Sequence, residues 1–274
     1  MESTLIENPR LWRLILGVTP GALHAVMIST VADASMIYKR LPLDTSMPLH
    51  RAIEEVVYAN PDLLADFGKI NILVDTPAYT LVPADADCTP ENIAEITQIG
   101  YSGTETPAVS ADVAASGVQT VWAMPEQARQ FLARTFRNAP VQHSLTMLLK
   151  YLGRKGELTN RARVFAHLTD GSPRRMDIIA YDSAGKLTMS TSKEWETETD
   201  ALYYIIATAR TAGFDAETDE LLLCGDSSLR HAVTSALSRY VRHVMPLIFP
   251  SAALRAGKEA FKAPFPLIIL PLCE

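Results

Sequence analysis

Cysteine is scarce in this chain: Cys88, Cys224 and Cys273 are the only three in 274 residues, and no two of them stand at a C-x-x-C spacing. That excludes a disulfide framework and a cysteine zinc site, and it fits a reducing compartment. Long apolar runs are missing as well. The longest, such as residues 264–273, fall well short of the ~20 residues that span a bilayer. Residues 1–10 are acidic and polar where a secretory signal needs a positive flank and an apolar run, so the expected location is cytoplasmic. The chain has no G-x-x-x-x-G-K-[ST], no G-x-G-x-x-G and no H-E-x-x-H. This removes the P-loop, the dinucleotide fingerprint and the zincin helix. Its six histidines are dispersed, and His24 and His167 fall on extended runs where they read as core or edge residues, so no metal site emerges.

Basic residues are absent from one long stretch. Between Ile70 and Ala128 there is no Lys or Arg, while Asp75, Asp85, Asp87, Glu91, Glu95, Glu105, Asp112 and Glu126 all carry negative charge. The next stretch inverts this. From Arg129 to Arg175, ten basic residues face only Glu157 and Asp170. The net charge of −6 conceals that polarity. The plain reading is a set of solvated helix faces. The functional one is a surface for an acidic partner, for nucleic acid, or for a second copy joined through acidic 70–128 and basic 129–175. Phe131, Phe136 and Phe165 lie in the basic block at core spacing, with no nucleic-acid-binding motif around them.

With 48% apolar and 20% charged residues the chain is ordinary globular material, long enough for two cores. Extended apolar runs at 11–18, 22–31 and 36–43 predict three strands. A helix follows after Thr45 or Ser46, with Pro48 in its first turn and a stripe of Ile53, Val56 and Val57. Next come a strand at 70–74, a helix from about Thr89, a strand at 118–123, a helix at 125–136 and a helical stretch at 142–151. The second half repeats the plan. Strands at 163–168, 176–181 and 187–191 precede a helix opened by Thr197 and Asp200 at capping-box spacing and striped by Leu202, Ile205, Ile206 and Ala209. A strand at 221–224, a helix striped by Leu229, Val233 and Leu237, and strands at 244–249 and 267–272 complete it. The fold class expected is α/β, with duplicated βββαβαβα halves built on mixed sheets. The expected domains are 1–155 and 156–274, with the polar, glycine-containing 153–160 as linker.

Two turns have the composition for phosphate chemistry. Residues 221–225 lead through Asp226, Ser227 and Ser228 into a helix, leaving amides at a helix N-terminus; the plainer reading makes Asp226 the N-cap. Asp170-Gly171-Ser172 could bring a carboxylate and amides to a metal-bound phosphate, and is equally a good hairpin turn.

The repeated element order and the Cys224-Gly225-Asp226-Ser227-Ser228 segment resemble the actin-like ATPase (ribonuclease H-like) fold shared by actin, sugar kinases and heat-shock chaperones. Residues 187–206, with Ser192-Lys193-Glu194-Trp195, Asp200 and Tyr203-Tyr204-Ile205-Ile206, and the 221–225 strand after them, are similar to an uncharacterised bacterial family assigned that fold. The resemblance implies ATP with magnesium as cofactor, held between two lobes by a phosphate loop from each half and a glycine turn near the adenosine. By position, Gly17 and Thr19 would belong to the first phosphate loop, Asp170, Gly171 and Ser172 to the second, and Gly225, Asp226 and Ser227 to the adenosine turn.

The first loop departs from the family pattern. That loop normally sets an Asp after strand one to hold the cation, yet residues 11–30 contain no acid, and Pro20 has no N–H to offer. Phosphoryl transfer is positioning and charge neutralisation, so this loss impairs it unless another acid compensates. Asp75, at a strand end, and Asp170 are the catalytic candidates. The function expected is therefore a non-catalytic or weakly nucleotide-binding adaptor or assembly component that works through a protein partner. The alternatives are an actin-like ATPase or small-molecule kinase, and a nucleic-acid-associated protein using 129–175.

Overall fold

Strand β1 (Trp12–Thr19) carries six consecutive buried residues, the pattern of a strand covered on both faces. In the computed structural model, which describes residues 6, 8–31, 35–101, 105–113, 117–154, 160–171, 173–251 and 257–274, β1 is the centre of a five-stranded sheet. It pairs antiparallel with β2 (Ala22–Ser29), and β2 pairs antiparallel with β3 (Met36–Pro42). On its other side it runs parallel to β4 (Lys69–Val74), which runs parallel to β8 (Val141–His143). The order is β3-β2-β1-β4-β8. One face packs Leu14, Leu16 and Val18 into a core with Ile53 and Val57 of α1 (Leu49–Ala59) and Phe131 and Leu132 of α3 (Glu126–Thr135).

The second sheet repeats this connectivity. Strands β9 (Arg163–Thr169), β10 (Arg174–Tyr181), β11 (Leu187–Trp195), β12 (Glu220–Gly225) and β13 (His243–Pro246) lie in the order β11-β10-β9-β12-β13, with β9, β12 and β13 parallel. Helices α5 (Glu198–Thr211) and α6 (Ser227–Leu237) cover one face, with Ala201, Ile205, Leu229 and Val233 packed on Ala166, Ile178 and Leu223. The expected capping box forms: the Thr197 hydroxyl accepts from the Asp200 amide, and the Asp200 carboxylate accepts from the Thr197 amide. The duplicated mixed-sheet α/β plan is thus present in both halves.

The chain divides into one unit of residues 1–147 with 250–272 and 274, and another of 148–249 with 273. A division in chain order at 155/156 could not reveal that return. Residues 155–159 of the expected linker lie outside the described residues.

Several elements differ from the sequence reading, the strands at Tyr79–Pro83 and Pro107–Val113 among them. The strand expected at 118–123 is β7 (Val118–Pro125), and it belongs to a separate antiparallel sheet with β5 (Tyr79–Pro83) and β6 (Pro107–Val113), accompanied by α2 (Pro90–Gly100). The fifth strand of the main sheet is instead β8, whose three residues run straight into α4 (Ser144–Leu152) and were hidden within the expected helical stretch. The strand expected at 267–272 is helical: Phe265–Ile269 is a short helix with five buried apolar residues, continued by a 3-10 turn at Leu270–Leu272. A helix that is apolar on every side and a buried strand present the same run of residues, and Pro264 and Pro266 at its start favour the helix. No helix among the described residues is long and apolar enough to cross a membrane.

Candidate functional site

In open α/β sheets, ligands gather at the carboxyl ends of the parallel strands. In the first unit, β1 ends there at Thr19 and β4 runs into Asp75, whose amide donates to the Val18 carbonyl at 2.8 Å. These ends, the loop after β3, the first turn of α1 and the end of β7 enclose a cavity of 280 Å³. Its wall is largely apolar, including Val18, Leu43, Leu49, Val74 and Met124. Among the described residues, the polar side chains on it are Asp44, Asp75, Thr19, Thr45 and Thr76, and no Lys or Arg lines it.

Asp75, Asp44 and Thr19 are each held locally. The Ser144 hydroxyl donates to Asp75 Oδ1 at 3.3 Å. Asp44 Oδ1 accepts from the Ser46 hydroxyl at 2.6 Å and the Ser46 amide at 2.8 Å, and those two bonds hold its carboxyl below the usual range. The Thr19 hydroxyl donates to the Ala22 carbonyl at 3.0 Å. Because that proton is committed, His24 Nε2, 3.4 Å away, carries the hydrogen, and His24 Nδ1 accepts from the Tyr38 hydroxyl at 2.9 Å. Burial, with Arg40 adding to it, lowers His24 to about 4, and burial raises Tyr38 to about 12. Both stay neutral at physiological pH, and with the hydrogen on Nε2 facing it and Nδ1 occupied by Tyr38, His24 presents Thr19 with no lone pair to take its proton.

Sequence reasoning missed the polar hub beside this cavity. Buried Asp112 on β6 accepts from Trp122 Nε1 at 3.0 Å, the His143 amide at 2.6 Å and the Thr146 hydroxyl at 3.2 Å. Burial pushes its carboxyl up against the pull of those bonds. His143 Nε2 in turn donates to the Thr76 carbonyl at 2.9 Å. The hub ties the three-stranded sheet to the start of α4 and to the turn after Asp75. No local pattern announces it, because its members lie far apart in sequence.

The other sequence candidates are placed as follows. Gly17 lies inside β1, where a Cβ would come within 2.9 Å of the Leu267 methyls, so its smallness admits the C-terminal helix. Thr19 and Asp75 share the cavity wall. In the second unit, Gly225, Asp226 and Ser227 form one turn from β12 into α6. Gly225 has φ +103°, and Asp226 Oδ1 accepts from the Ser228 hydroxyl at 2.6 Å and from the amides of Ser228 at 2.9 Å and Leu229 at 3.2 Å. Asp226 is thus the N-cap. Asp226→Ala should cost about 1 kcal/mol in urea unfolding and Asp226→Asn much less; equal losses would contradict a capping role. Asp170 is exposed, 3.8 Å from the Arg174 guanidinium; Gly171 is exposed, and Ser172 lies outside the described residues.

Across the second sheet, Ser192, Asp177, His167 and Cys224 occupy paired positions on four adjacent strands. The order imitates a Cys-His-Asp hydrolase, but the chemistry is inert. Cys224 is buried, and its thiol is pushed far up by burial and then by the Asp177 charge, so the thiolate a nucleophile requires does not form. Among the described residues, no three His, Cys, Asp or Glu side chains gather to hold a metal.

The charge blocks are partly spent locally. Asp85, Asp87, Glu91 and Glu95 are exposed around β5 and α2, whereas Asp112 is buried in its hub. Of the basic block, Arg137 pairs with Asp66 at 2.5 Å and Arg163 with Glu220 at 2.9 Å, Arg129 stacks on Trp122, Arg174 stacks on Trp195, and Arg175 is buried beside Asp177.

Solved structures bear on the architecture. A Bacteroides thetaiotaomicron protein described as having an actin-like ATPase fold and unknown function superposes with a TM-score of 0.78, at 17% identity, covering 97% of this chain and 99% of that one. The PilM–PilN type IV pilus biogenesis complex matches with a TM-score of 0.54 at 16% identity, covering 97% and 98%. The cytoplasmic domain of EpsL, an inner-membrane component of the Vibrio cholerae type II secretion system, matches with a TM-score of 0.45 at 10% identity, covering 94% and 98%. No curated protein matches the sequence. The fold is therefore that of the actin-like ATPases, and, with residues 3–244 matching the family described as "Protein of unknown function (DUF3822)", the chain belongs to that family.

Proposed function

We propose that this chain is a non-catalytic adaptor or assembly component, cytoplasmic in location, in which the actin-like fold serves to bind a protein partner. The observation that carries this reading is the cavity wall beyond β1 and β4, which among its described residues has two carboxylates, Asp44 and Asp75, and no Lys or Arg. A triphosphate needs cations and amides to neutralise and orient it. The turn after β1 supplies the committed Thr19 hydroxyl and Pro20, which has no N–H. At 280 Å³ the cavity is also at the floor of the roughly 300–1,000 Å³ range of small-molecule sites. Asp44 and Asp75 could hold a cation, but the described residues of this wall offer the phosphates no Lys or Arg, and Pro20 offers them no amide, so the fit to a magnesium triphosphate fails on the phosphate side. One of the structural neighbours comes from the PilM–PilN type IV pilus biogenesis complex, which agrees with the fold serving partner binding.

A second reading, an ATPase or small-molecule kinase using Asp75 and Asp170, is favoured only by Asp75 facing the cavity. Steady-state ATP hydrolysis with magnesium decides between them. The adaptor predicts release of phosphate no faster than a buffer control. Turnover that disappears in Asp170→Ala would establish the enzyme instead.

A further inference from the structure

We propose that Arg13, Asn71 and Lys69 form a carboxylate-binding site at the amino ends of β1 and β4. The Glu274 side chain is its ligand in cis, and a free alkyl carboxylate takes the place of that side chain when it is truncated. The site is independent of the adaptor reading and lies on the sheet face opposite α1 and α3. Side chains alternate along a strand, so Leu14, Leu16 and Val18 enter the helix-covered core while Arg13, Ile15 and Gly17 point the other way. The parallel register sets Lys69 beside Arg13 and Asn71 beside Ile15 on that face. Arg13 and Asn71 are 8% and 3% exposed. A guanidinium and an amide so deep in adjoining interior strands are costly unless paired.

The donors converge on one carboxylate. Arg13 Nη2 donates to Glu274 Oε1 at 2.6 Å and to Asn71 Oδ1 at 2.7 Å. Since a guanidinium has no acceptor, Asn71 turns its oxygen to Arg13, which leaves Nδ2 to donate to Glu274 Oε1 at 3.3 Å. Lys69 Nζ donates to Oε2 at 2.5 Å. Two cations and an amide thus hold both oxygens, a donor set that suits a carboxylate. Burial raises the Glu274 carboxyl, but the bonds from Lys69 and Arg13 outweigh it and hold the group below its ordinary 4.5, so it is ionised at neutral pH. Without Glu274, Arg13 keeps one bond among the described residues, to a neutral amide, and its Nε is buried with no partner. A buried cation left in that state recruits another anion. The segment before Glu274 lies on the same face. All five residues of the short helix Phe265–Ile269 are buried, and Leu267 occupies the space beside Gly17, four positions along β1 from Arg13.

Glu274→Ala removes one methylene and the carboxylate, and acetate supplies both. Hydrogen exchange by the amides of residues 267–270 in the full chain reads whether the segment stays fastened. Glu274→Ala should speed that exchange about tenfold or more. Acetate should restore protection saturably at constant ionic strength. Acetamide, which has the same shape without the charge, and sodium chloride should not. Lys69→Met added to Glu274→Ala should weaken the acetate effect. Unchanged exchange in Glu274→Ala would overturn the proposal, as would no restoration at high millimolar acetate, or restoration by acetamide or chloride equal to that by acetate. Should Glu274→Ala fail to fold, refolding with acetate and not with acetamide is the expected result, and failure with both overturns it.

Discussion

Gly225→Ala is expected to destabilise the second unit by about 3 kcal/mol or more, a large part of the roughly 5–15 kcal/mol that holds a domain folded. Two costs coincide at this position. The backbone has φ +103°, where an L side chain is strained, and an added Cβ would run into the Leu168 carbonyl oxygen on the neighbouring strand. That oxygen also accepts from the Asp226 amide at 3.1 Å, and β9 is the central strand of its sheet, so the clash has no easy outlet. Gly213 supplies the control. It has φ +80° with open space around its Cα, so Gly213→Ala should cost only the conformational part, about 1 kcal/mol. Equal losses in urea unfolding would show that contact with Leu168 is not what demands glycine.

Asp177→Ala should cost about 3–5 kcal/mol, because it strips the carboxylate from a buried, charged neighbourhood. Asp177 is 2% exposed, with His167 Nδ1 at 3.6 Å from one oxygen and the Arg175 guanidinium at 3.8 Å from the other, and it accepts from the Ser192 hydroxyl. Burial alone would raise its carboxyl, but His167, Arg175 and Ser192 together outweigh burial and hold it below its ordinary 3.8. A carboxyl lowered on folding stabilises the native state fully above its unfolded value. That contribution fades as pH falls from about 5 through 4 toward the folded value. The unaltered protein should therefore lose stability on acidification across that window, and Asp177→Asn should flatten the curve there. A variant with the same acid dependence would remove Asp177 as its source.

Legibility in the sequence followed from whether a signal was local. The α5 capping box, the Asp226 cap and the strands expected at 163–168, 176–181, 187–191 and 221–224 stand in contiguous patterns, and the structure has them where those patterns lie. The β7 strand was visible but its sheet was not, because β5 and β6 are short, half-exposed strands without strong alternation. β8 has three residues, too few for any period. At the site, Thr19 and Asp75 could be named because each ends a strand. Asp44, brought to the same cavity by the loop after β3, and Asp112, joined to His143 and Thr146 from 31 and 34 positions away, depend on contacts that no local pattern encodes.

The central claim is that this cavity, with a largely apolar wall and no Lys or Arg among its described residues to meet the phosphates, does not hold a nucleotide. Isothermal titration of the full chain with millimolar ATP and magnesium, paired with thermal denaturation under the same conditions, tests it most directly. The account predicts no saturable heat and no rise in melting temperature. Saturable binding that raises the melting temperature and is lost in Asp75→Asn would contradict it.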